Sequence, residues 1–482
     1  MPRRWCHTAL APLAVLVAVT VTLAGCGSGA SRPTPTAALP STATAPTTIS
    51  TPPSASPAVG VALPDTPAGR QAQWLFAAAV HAPIPTAQLT AHFDAAFLTQ
   101  VPPDHLNETF VALHSLQVDR VTASTPDTLG VIVTTNGKSQ LLVTLSVDPE
   151  GLISGLLLQP AGAGLATPPP PPPVPTTWAA VESQLRGAAP SVDFLAAAVD
   201  GSTCTPIQAI NPTTAAPLAS SFKLYVLDAL ARAIAAGTVS WSQQLTVTSQ
   251  VKSIPSGILQ AEPDGTHVSV QQAATDMIQI SDNTATDMLI GLLGRNAVEA
   301  AMRDTGMADP ARNVPLLTTR EMFILKADDW PTLANRYLAL GPAARLAFLT
   351  GTVDPVPLGT LPSTTWTTPR NIAALEWFAS PTDLCRVYAS LATLAQQPKL
   401  ASLASILTIP GATGNPGQWR SVWFKGGSEP GVLTANYLAT TQNGKTYVVS
   451  ILAANPAAPI SPTATQALTS AAQGALNLAA GR

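Results

Sequence analysis

The chain has few charged residues. Of its 482 residues only 11% are charged, and 24 basic against 27 acidic side chains give a net charge of -3. The seven lysines are scattered, so the chain has no basic run that could follow a phosphate backbone. We therefore expect no nucleic-acid partner.

An apolar run opens the chain, after two arginines. It extends from Ala9 to Leu23, too short to span a membrane comfortably, and is typical of a secretory signal peptide. The run ends in Leu23-Ala24-Gly25-Cys26, which resembles a bacterial lipobox. The resemblance implies that residues 1–25 are removed and that Cys26 carries a lipid on the outer face of the bacterial cell membrane. The alternative is an ordinary secreted protein with a chance cysteine.

Cysteine is scarce, with four residues. Cys6 lies in the signal peptide and Cys26 is assigned to the lipid, which leaves Cys204 and Cys385 in an oxidising compartment. A disulfide and two buried free thiols both remain open, because only geometry decides between them.

Low-complexity segments divide the chain into domains. Residues 26–67 are mostly Ser, Thr, Pro, Ala and Gly, a composition that cannot bury enough surface to fold and that predicts a tether. The uninterrupted run Pro168–Pro173 favours polyproline II and marks a linker over residues 161–177. Two folded domains are left, at residues 68–160 and 178–482.

The first of these domains is predicted to be small and α+β. Helical periodicity near Trp74–Val80 and in Leu106–Leu116 precedes four alternating runs, joined partly by an Asn136-Gly137 turn and a turn at Pro149. The predicted strands are Gln117–Ala123, Leu129–Thr135, Gln140–Val147 and Ile153–Leu158. Their topology resembles the steroid-isomerase or cystatin-like fold.

The second domain is predicted to begin with a helix and two strands, around Phe194–Val199 and Thr205–Ala209. It then has helices and closes with strands between Val422 and Ala453 and a terminal helix. Because strands lie at both ends of the domain, we expect the first and last strands to pair with one another in a single sheet.

Ser220-Ser221-Phe222-Lys223 is a Ser-x-x-Lys motif that leads into an apolar helix face. Positions i and i+3 share a helix face, so Lys223 lies one turn from Ser220 and can influence its proton. The helix N-terminus also favours a developing anion. Ser249-Gln250-Val251-Lys252 fits the same pattern, but no helical apolar run follows it.

Two further motifs lie downstream. Ser281-Asp282-Asn283 is a polar turn between the helical stretches Val270–Ile280 and Thr284–Leu293, where Ser or Asp could simply cap a helix. Lys425-Gly426-Gly427-Ser428 lies on a strand, with glycines where a ligand could approach the backbone closely.

Together and in this order, the three motifs resemble the signature of class A β-lactamases and penicillin-binding proteins. The 61 residues between Ser220 and Ser281 fit that family, whereas the 144 between Ser281 and Lys425 indicate an insertion. We place the insertion at Trp330–Leu349 and the Pro-rich loop through Trp366. The resemblance implies an antiparallel sheet flanked by helices, and extends to actinobacterial lipoproteins of this class, including a β-lactamase-like protein of clavulanic acid gene clusters.

The resemblance also implies a role for each motif residue, and it implies neither a metal nor a cofactor. The implied catalytic residues are Ser220 as the acylated nucleophile, Lys223 as its activator and Ser281 as the proton shuttle to the leaving nitrogen. The implied substrate-binding residues are Asn283 for the acyl side chain, Lys425 for a carboxylate, and Gly427 and Ser428 beside the oxyanion hole formed by the N–H groups of Ser220 and Ser428.

Two features depart from the family. Gly426 replaces a threonine whose hydroxyl would bind the substrate carboxylate, and no Glu-x-x-Leu-Asn loop lies between Ser281 and Lys425 to position a deacylating water. Glu376 and Glu321 are candidate substitutes for the missing glutamate, or else structural carboxylates.

These observations predict a membrane-anchored serine hydrolase that forms an acyl-enzyme with a β-lactam, amide or ester. One alternative is a penicillin-binding DD-carboxypeptidase or transpeptidase. The other is a non-catalytic lipoprotein that binds a cell-envelope ligand.

Overall fold

A computed structural model describes residues 61–481, apart from residues 95–96, 99–100, 114–115, 125–126, 136–138, 149, 161–171, 255, 362–365 and 409–417. The lipobox with Cys26, the tether up to residue 60, the Asn136-Gly137 turn and Pro149 lie outside the described residues. The described chain separates into two compact units whose border falls within the Pro-rich segment. Among the helices of this described part, none has the length and apolar character needed to cross a membrane.

The N-terminal unit consists of helices and one antiparallel meander. Its helices are α1 (Pro67–Ala79), α2 (Thr86–His92) and α3 (Pro103–Leu113), and its strands are β1 (Gln117–Ser124), β2 (Thr128–Thr135), β3 (Ser139–Val147) and β4 (Ile153–Pro160). Sheet order follows chain order, β1-β2-β3-β4, with every pair antiparallel. All four predicted strands are confirmed, with ends shifted by two residues at most. The likeness to steroid-isomerase or cystatin-like folds stays a prediction.

The C-terminal unit is an antiparallel sheet flanked by helices, as predicted. It begins with α4 (Trp178–Ala188), β5 (Ser191–Asp200), β6 (Thr203–Ile210), β7 (Ala216–Pro217), α5 (Lys223–Ala235), β8 (Gln244–Thr246) and β9 (His267–Ser269). There follow α6 (Val270–Gln279), α7 (Asn283–Leu293), α8 (Arg295–Asp304), α9 (Thr319–Ala327), α10 (Thr332–Leu338), α11 (Pro342–Phe348) and β10 (Phe378–Ala379). It ends with α12 (Pro381–Leu394), α13 (Ser402–Leu407), β11 (Trp419–Glu429), β12 (Val432–Thr441), β13 (Thr446–Ala454) and α14 (Pro462–Ala479).

The main sheet joins the two ends of this unit. Its order is β11-β12-β13-β5-β6, so strand β5 pairs with β13 from the far end of the sequence. Strand β5 is an almost continuous apolar run because helices cover both faces of the sheet, and its residues Phe194 and Leu195 are fully buried on opposite faces. Helices α4 and α14 pack on one face.

Helix α5 lies in the core on the other face of the sheet. Leu224, Leu227 and Leu230 are fully buried, which confirms the apolar face predicted from the sequence. One detail differs from the prediction, because the α-helix begins at Lys223 and Ser220 lies in a 3-10 turn before it. The helix is therefore entered through a tight turn, and the serine precedes the first α-helical residue.

Cys204 on β6 and Cys385 on α12 form a disulfide across 181 residues of chain. Of the two alternatives that the sequence leaves open, the structure therefore has the bonded one. The bond fastens the edge strand of the sheet to a helix that packs on the sheet.

We expect the Cys204→Ser/Cys385→Ser variant to lose about 2–5 kcal/mol of stability, because a cross-link over a long loop restricts the unfolded chain. Chemical denaturation followed by circular dichroism measures the change. A reducing agent should lower the midpoint of the native protein and leave that of the double variant unchanged. Equal midpoints for the oxidised protein and the variant would contradict the expectation.

Candidate active site

Ser220 lies in the 3-10 turn formed by residues Ala219–Phe222, directly before helix α5. The preceding residue, Ala219, has a φ of 44°, in the left-handed region that non-glycine residues seldom occupy. Such a conformation persists where surrounding contacts enforce it, often at functional sites. Ser220 is partly exposed, while its neighbour Ser221 is completely buried. Only the first serine of the motif can therefore meet a substrate.

Ser221 anchors the turn to the sheet. Its Oγ lies 2.7 Å from Thr434 Oγ1 and accepts a 2.8 Å hydrogen bond from Asn436 Nδ2, both on strand β12. Thr434 Oγ1 also donates to the carbonyl of Leu218, 3.1 Å away. This network was not predicted from the sequence, although two polar residues at alternate positions of a buried strand were a signal for it.

The Ser281-Asp282-Asn283 turn combines a helix cap with site residues. Asp282 caps helix α7 by accepting from Ala285 N at 2.7 Å, and it also accepts from Ile258 N at 2.6 Å. Ser281 has a φ of 57°. Capping thus belongs to the aspartate, which leaves the side chains of Ser281 and Asn283 free to contact Lys223.

Lys223 is the buried centre of the site. Its Nζ lies 2.6 Å from the Ser281 carbonyl, 2.7 Å from Asn283 Oδ1 and 3.1 Å from Ser281 Oγ. Burial, and then the charge of Lys425, hold the pKa of Lys223 well below its usual value. When this amine is neutral, it has two N–H donors and one lone pair. The two shortest contacts then take the donors, which leaves the lone pair for a hydroxyl proton.

Lys425 approaches the same serine from strand β11. Its Nζ donates to Ser281 Oγ at 3.0 Å and to the Gly426 carbonyl at 3.0 Å. Burial lowers its pKa to about 7. Ser281 Oγ therefore lies between two lysine nitrogens, an arrangement that suits a hydroxyl passing a proton onward.

Strand β11 touches the turn of Ser220 through a glycine. A Cβ atom on Gly427 would lie 2.5 Å from the Leu218 carbonyl oxygen and 2.5 Å from Ser220 N, so a side chain is excluded here. The backbone of residues 427–428 is thereby held beside the backbone N–H of Ser220.

Gly426 has a steric explanation. A Cβ at this position would lie 2.8 Å from Cζ of Phe424, which is two residues earlier and so on the same side of strand β11. The ring of Phe424 also lies near that of Tyr437, with centroids 4.7 Å apart. The phenylalanine therefore occupies the space that a threonine at 426 would need.

Neither candidate glutamate pairs with Lys223 or Lys425. Glu321 is fully buried, forms an ion pair with Arg295 and accepts from Thr318 N at 2.7 Å as part of a helix cap. Glu376 forms an ion pair with Lys326 and accepts from Ala219 N at 3.1 Å. Both are buried and are held by ion pairs and hydrogen bonds to other parts of the fold.

The structure therefore brings together the predicted residues Ser220, Lys223, Ser281, Asn283, Lys425 and Gly427, with Ser428 next along the strand. The second Ser-x-x-Lys motif lies in a loop, where Lys252 forms a 2.9 Å ion pair with Asp264. Within the described ranges no group of three His, Cys, Asp or Glu side chains is placed to hold a metal ion.

A sequence model described as the β-lactamase enzyme family matches residues 198–478, more than half of the chain. The chain belongs to the β-lactamase enzyme family. A second model, described as the N-terminal part of an ORF 12 gene product, matches residues 63–153. No curated protein sequence matches the chain.

Solved structures similar to this β-lactamase family member include a β-lactamase from Sphaerobacter thermophilus, 21% identical, with a TM-score of 0.44, over 64% of this chain and 99% of that one. PBP-A is 16% identical with a TM-score of 0.43, over 65% of this chain and 100% of that one. A Francisella tularensis β-lactamase is 12% identical with a TM-score of 0.45, over 63% and 99% respectively.

Proposed function

We propose that this chain is a serine hydrolase that is acylated at Ser220 by β-lactam, amide or ester substrates. One observation carries the proposal. A buried lysine whose pKa is lowered contacts Ser281 Oγ and lies one turn from the partly exposed hydroxyl of Ser220. A serine hydroxyl is a weak nucleophile unless a nearby base takes its proton, and Lys223 is the group placed to do so.

In the proposed reaction Lys223 accepts the Ser220 proton as Oγ forms a bond to the acyl carbon. The carbonyl electrons move onto oxygen, which the N–H groups of Ser220 and Ser428 stabilise. The intermediate collapses by breaking the bond to the leaving nitrogen or oxygen. Ser281 gives that atom its proton and regains one from protonated Lys223, so the lysine ends neutral. Lys425 supplies positive charge beside Ser281.

Intact-mass spectrometry with penicillin, cephalosporin and ester probes tests this function. We expect one equivalent of a probe to add to the protein. Protein that gains no mass from any probe would support the alternative of a non-catalytic binding lipoprotein.

Among the described residues, neither candidate glutamate is placed to serve as the base of the deacylation step. Thr319 lies next to Asn283, where its Oγ1 is 3.2 Å from the Asn283 carbonyl oxygen and 2.8 Å from Ser253 Oγ. Glu321, two residues further along the chain, forms an ion pair with Arg295. We therefore propose that acylation outpaces hydrolysis of the acyl-enzyme, and that lactam or ester turnover is weak.

A chromogenic cephalosporin should accordingly give a burst followed by slow turnover. A positioned general base contributes about 10²–10⁴-fold, so its lack makes the acyl-enzyme accumulate. Stopped-flow absorbance measures the burst, and mass spectrometry measures the lifetime of the adduct. Fast steady-state turnover without a burst would contradict this prediction. A long-lived adduct that a peptide amine removes faster than water would favour the transpeptidase alternative.

We also propose that the protein is exported and anchored by a lipid on Cys26, with residues 26–67 as a tether, 161–177 as a linker, and 68–160 and 178–482 as the folded domains. The Leu23-Ala24-Gly25-Cys26 sequence supports this proposal. Wild-type protein should enter the detergent phase in phase separation, and Cys26→Ala should stay in the aqueous phase. A Cys26→Ala protein that still enters the detergent phase would refute the anchor.

A further inference from the structure

A buried charge cluster lies next to the proposed active site without taking part in its chemistry. Lys326 on helix α9 is fully buried, and its Nζ lies 2.5 Å from Glu429 Oε1 and 3.4 Å from Glu376 Oε1. Burying an ion pair costs desolvation free energy, so such a cluster is weak evidence for stability alone. Its position suggests another use.

One carboxylate of the cluster holds the turn of the nucleophile. Glu376 Oε2 accepts hydrogen bonds from Ala219 N at 3.1 Å and from Trp377 N at 3.0 Å. Ala219 is the residue with the left-handed φ of 44°, directly before Ser220. The acceptor on its N–H stabilises a backbone conformation that alanine does not favour on its own.

The other carboxylate belongs to the opposite side of the oxyanion hole. Glu429 is the last residue of β11 and directly follows Ser428. The N–H groups of Ser220 and Ser428 are thus on separate segments of the chain. Ser220 follows Ala219, whose N–H donates to Glu376, and Ser428 directly precedes Glu429. Lys326 pairs with both glutamates and so connects the two segments.

We propose that Lys326, Glu376 and Glu429 are positioning residues that set the distance between the two N–H donors of the oxyanion hole. This inference rests on the proposed acylation of Ser220. It assigns the cluster no contact with substrate. Its role is to hold the turn at Ala219 and the end of β11 in one arrangement.

The charges of the cluster fit this role. Burial, and then the Glu376 charge, raise the pKa of Glu429. This direction agrees with two carboxyl groups that are held close together in the interior around a single lysine.

The test compares Glu376→Ala, Glu376→Gln, Glu429→Gln and the double glutamine variant in the full chain. The control is Asp228→Asn, which also disrupts a fully buried carboxylate, one paired with Arg232 at 2.5 Å and with Ser390 at 2.5 Å, away from the oxyanion hole. Penicillin is the probe. Stopped-flow measurements separate its dissociation constant from the acylation rate constant, and infrared difference spectra record the carbonyl stretch of the acyl-enzyme.

We expect Glu376→Ala to lower the acylation rate constant about 10–100-fold, less than the about 10²–10³-fold loss of a whole oxyanion donor. Glu376→Gln should retain more activity, because its amide oxygen can still accept from Ala219 N. Penicillin affinity should hardly change, and the carbonyl stretch should move to higher wavenumber. The two glutamine variants should be non-additive, because both act through Lys326. Asp228→Asn should lower the melting temperature and leave the acylation rate constant and the carbonyl stretch unchanged.

The outcomes distinguish the two proposals. Wild-type protein that penicillin never acylates would overturn the proposed function and this inference with it. A second outcome would overturn only the inference. In it, the wild type is acylated, and folded Glu376→Ala has the same acylation rate constant and the same carbonyl stretching frequency as the wild type. Strictly additive effects of the glutamine variants would also overturn the linkage through Lys326.

Discussion

Replacing Ser220 with Ala should abolish the covalent adduct with penicillin, whereas replacing Ser221 should leave it in place. Ser220 is partly exposed in the 3-10 turn before helix α5, and Ser221 is buried against Thr434 and Asn436. Peptide mass spectrometry of penicillin-treated protein should place the adduct on Ser220 in the wild type and in Ser221→Ala.

Ser221→Ala serves as the matched control, because it removes the same hydroxyl one residue along. It removes the hydrogen bonds that the buried Ser221 hydroxyl makes with Thr434 and Asn436, which costs about 1–3 kcal/mol of stability. Its melting temperature should therefore fall while its adduct persists. An adduct on Ser221 or Ser249, or one that survives in Ser220→Ala, would show that the nucleophile is assigned incorrectly.

Lys223→Met should reduce acylation at pH 7 by about 10²–10⁴-fold, since it removes the amine proposed to take the Ser220 proton. Lys223→Arg should be as inactive, because a guanidinium stays protonated and cannot accept the Ser220 proton. Acylation by the wild type should fall as the pH drops through the lowered pKa of Lys223, because the protonated amine cannot act as a base. Stopped-flow measurements of the acylation rate constant over a range of pH test the two variants and the wild type. Wild-type rates in Lys223→Met would remove the lysine from the mechanism.

The same substitution should change how stability depends on pH. Between the lowered pKa of Lys223 in the folded state and the value near 10.4 in the unfolded chain, the unfolded chain binds more protons. Through this group, the stability of the wild type therefore rises with pH across this window. Thermal denaturation of both proteins over a pH series should show that the melting temperature of Lys223→Met, relative to the wild type, becomes less favourable as the pH rises. A difference that does not change with pH would indicate that the pKa of the buried lysine is not lowered.

The motifs predicted much of the site because each one lies on a regular element or directly beside one. Alternating and helical patterns predicted the strands at both ends of the C-terminal unit and the helix after Ser220. One sheet joins those two ends and includes β11, the strand that carries Lys425. The Nζ of Lys425 then lies 3.0 Å from the Oγ of Ser281, which is 144 residues earlier in the chain. The order of three short motifs thus carried long-range information that none of them carried alone.

Other parts depend on contacts that leave no local pattern. Lys326 and Glu376 each lie in a segment that could equally be a solvated surface, and only the folded chain shows that they are paired and buried. The bond between Cys204 and Cys385 likewise depends on the distance between two elements. Side chains that meet through tertiary packing alone have no spacing rule in the sequence.

The glycine at 426 is an intermediate case. Its departure from the family was visible in the sequence, but its cause was not. The aromatic ring of Phe424, two residues earlier on the same side of a strand, was the available signal.

The pairing of β5 with β13 has a consequence for the order of assembly. As the polypeptide is synthesised, residues 191–200 can pair with the adjacent strand β6 at once, but they must wait about 250 residues for β13, their partner on the other side. The turn of Ser220 waits almost as long, because Thr434 and Asn436 fix it to strand β12. The arrangement around the proposed nucleophile is therefore completed only when the C-terminal strands are added to the sheet.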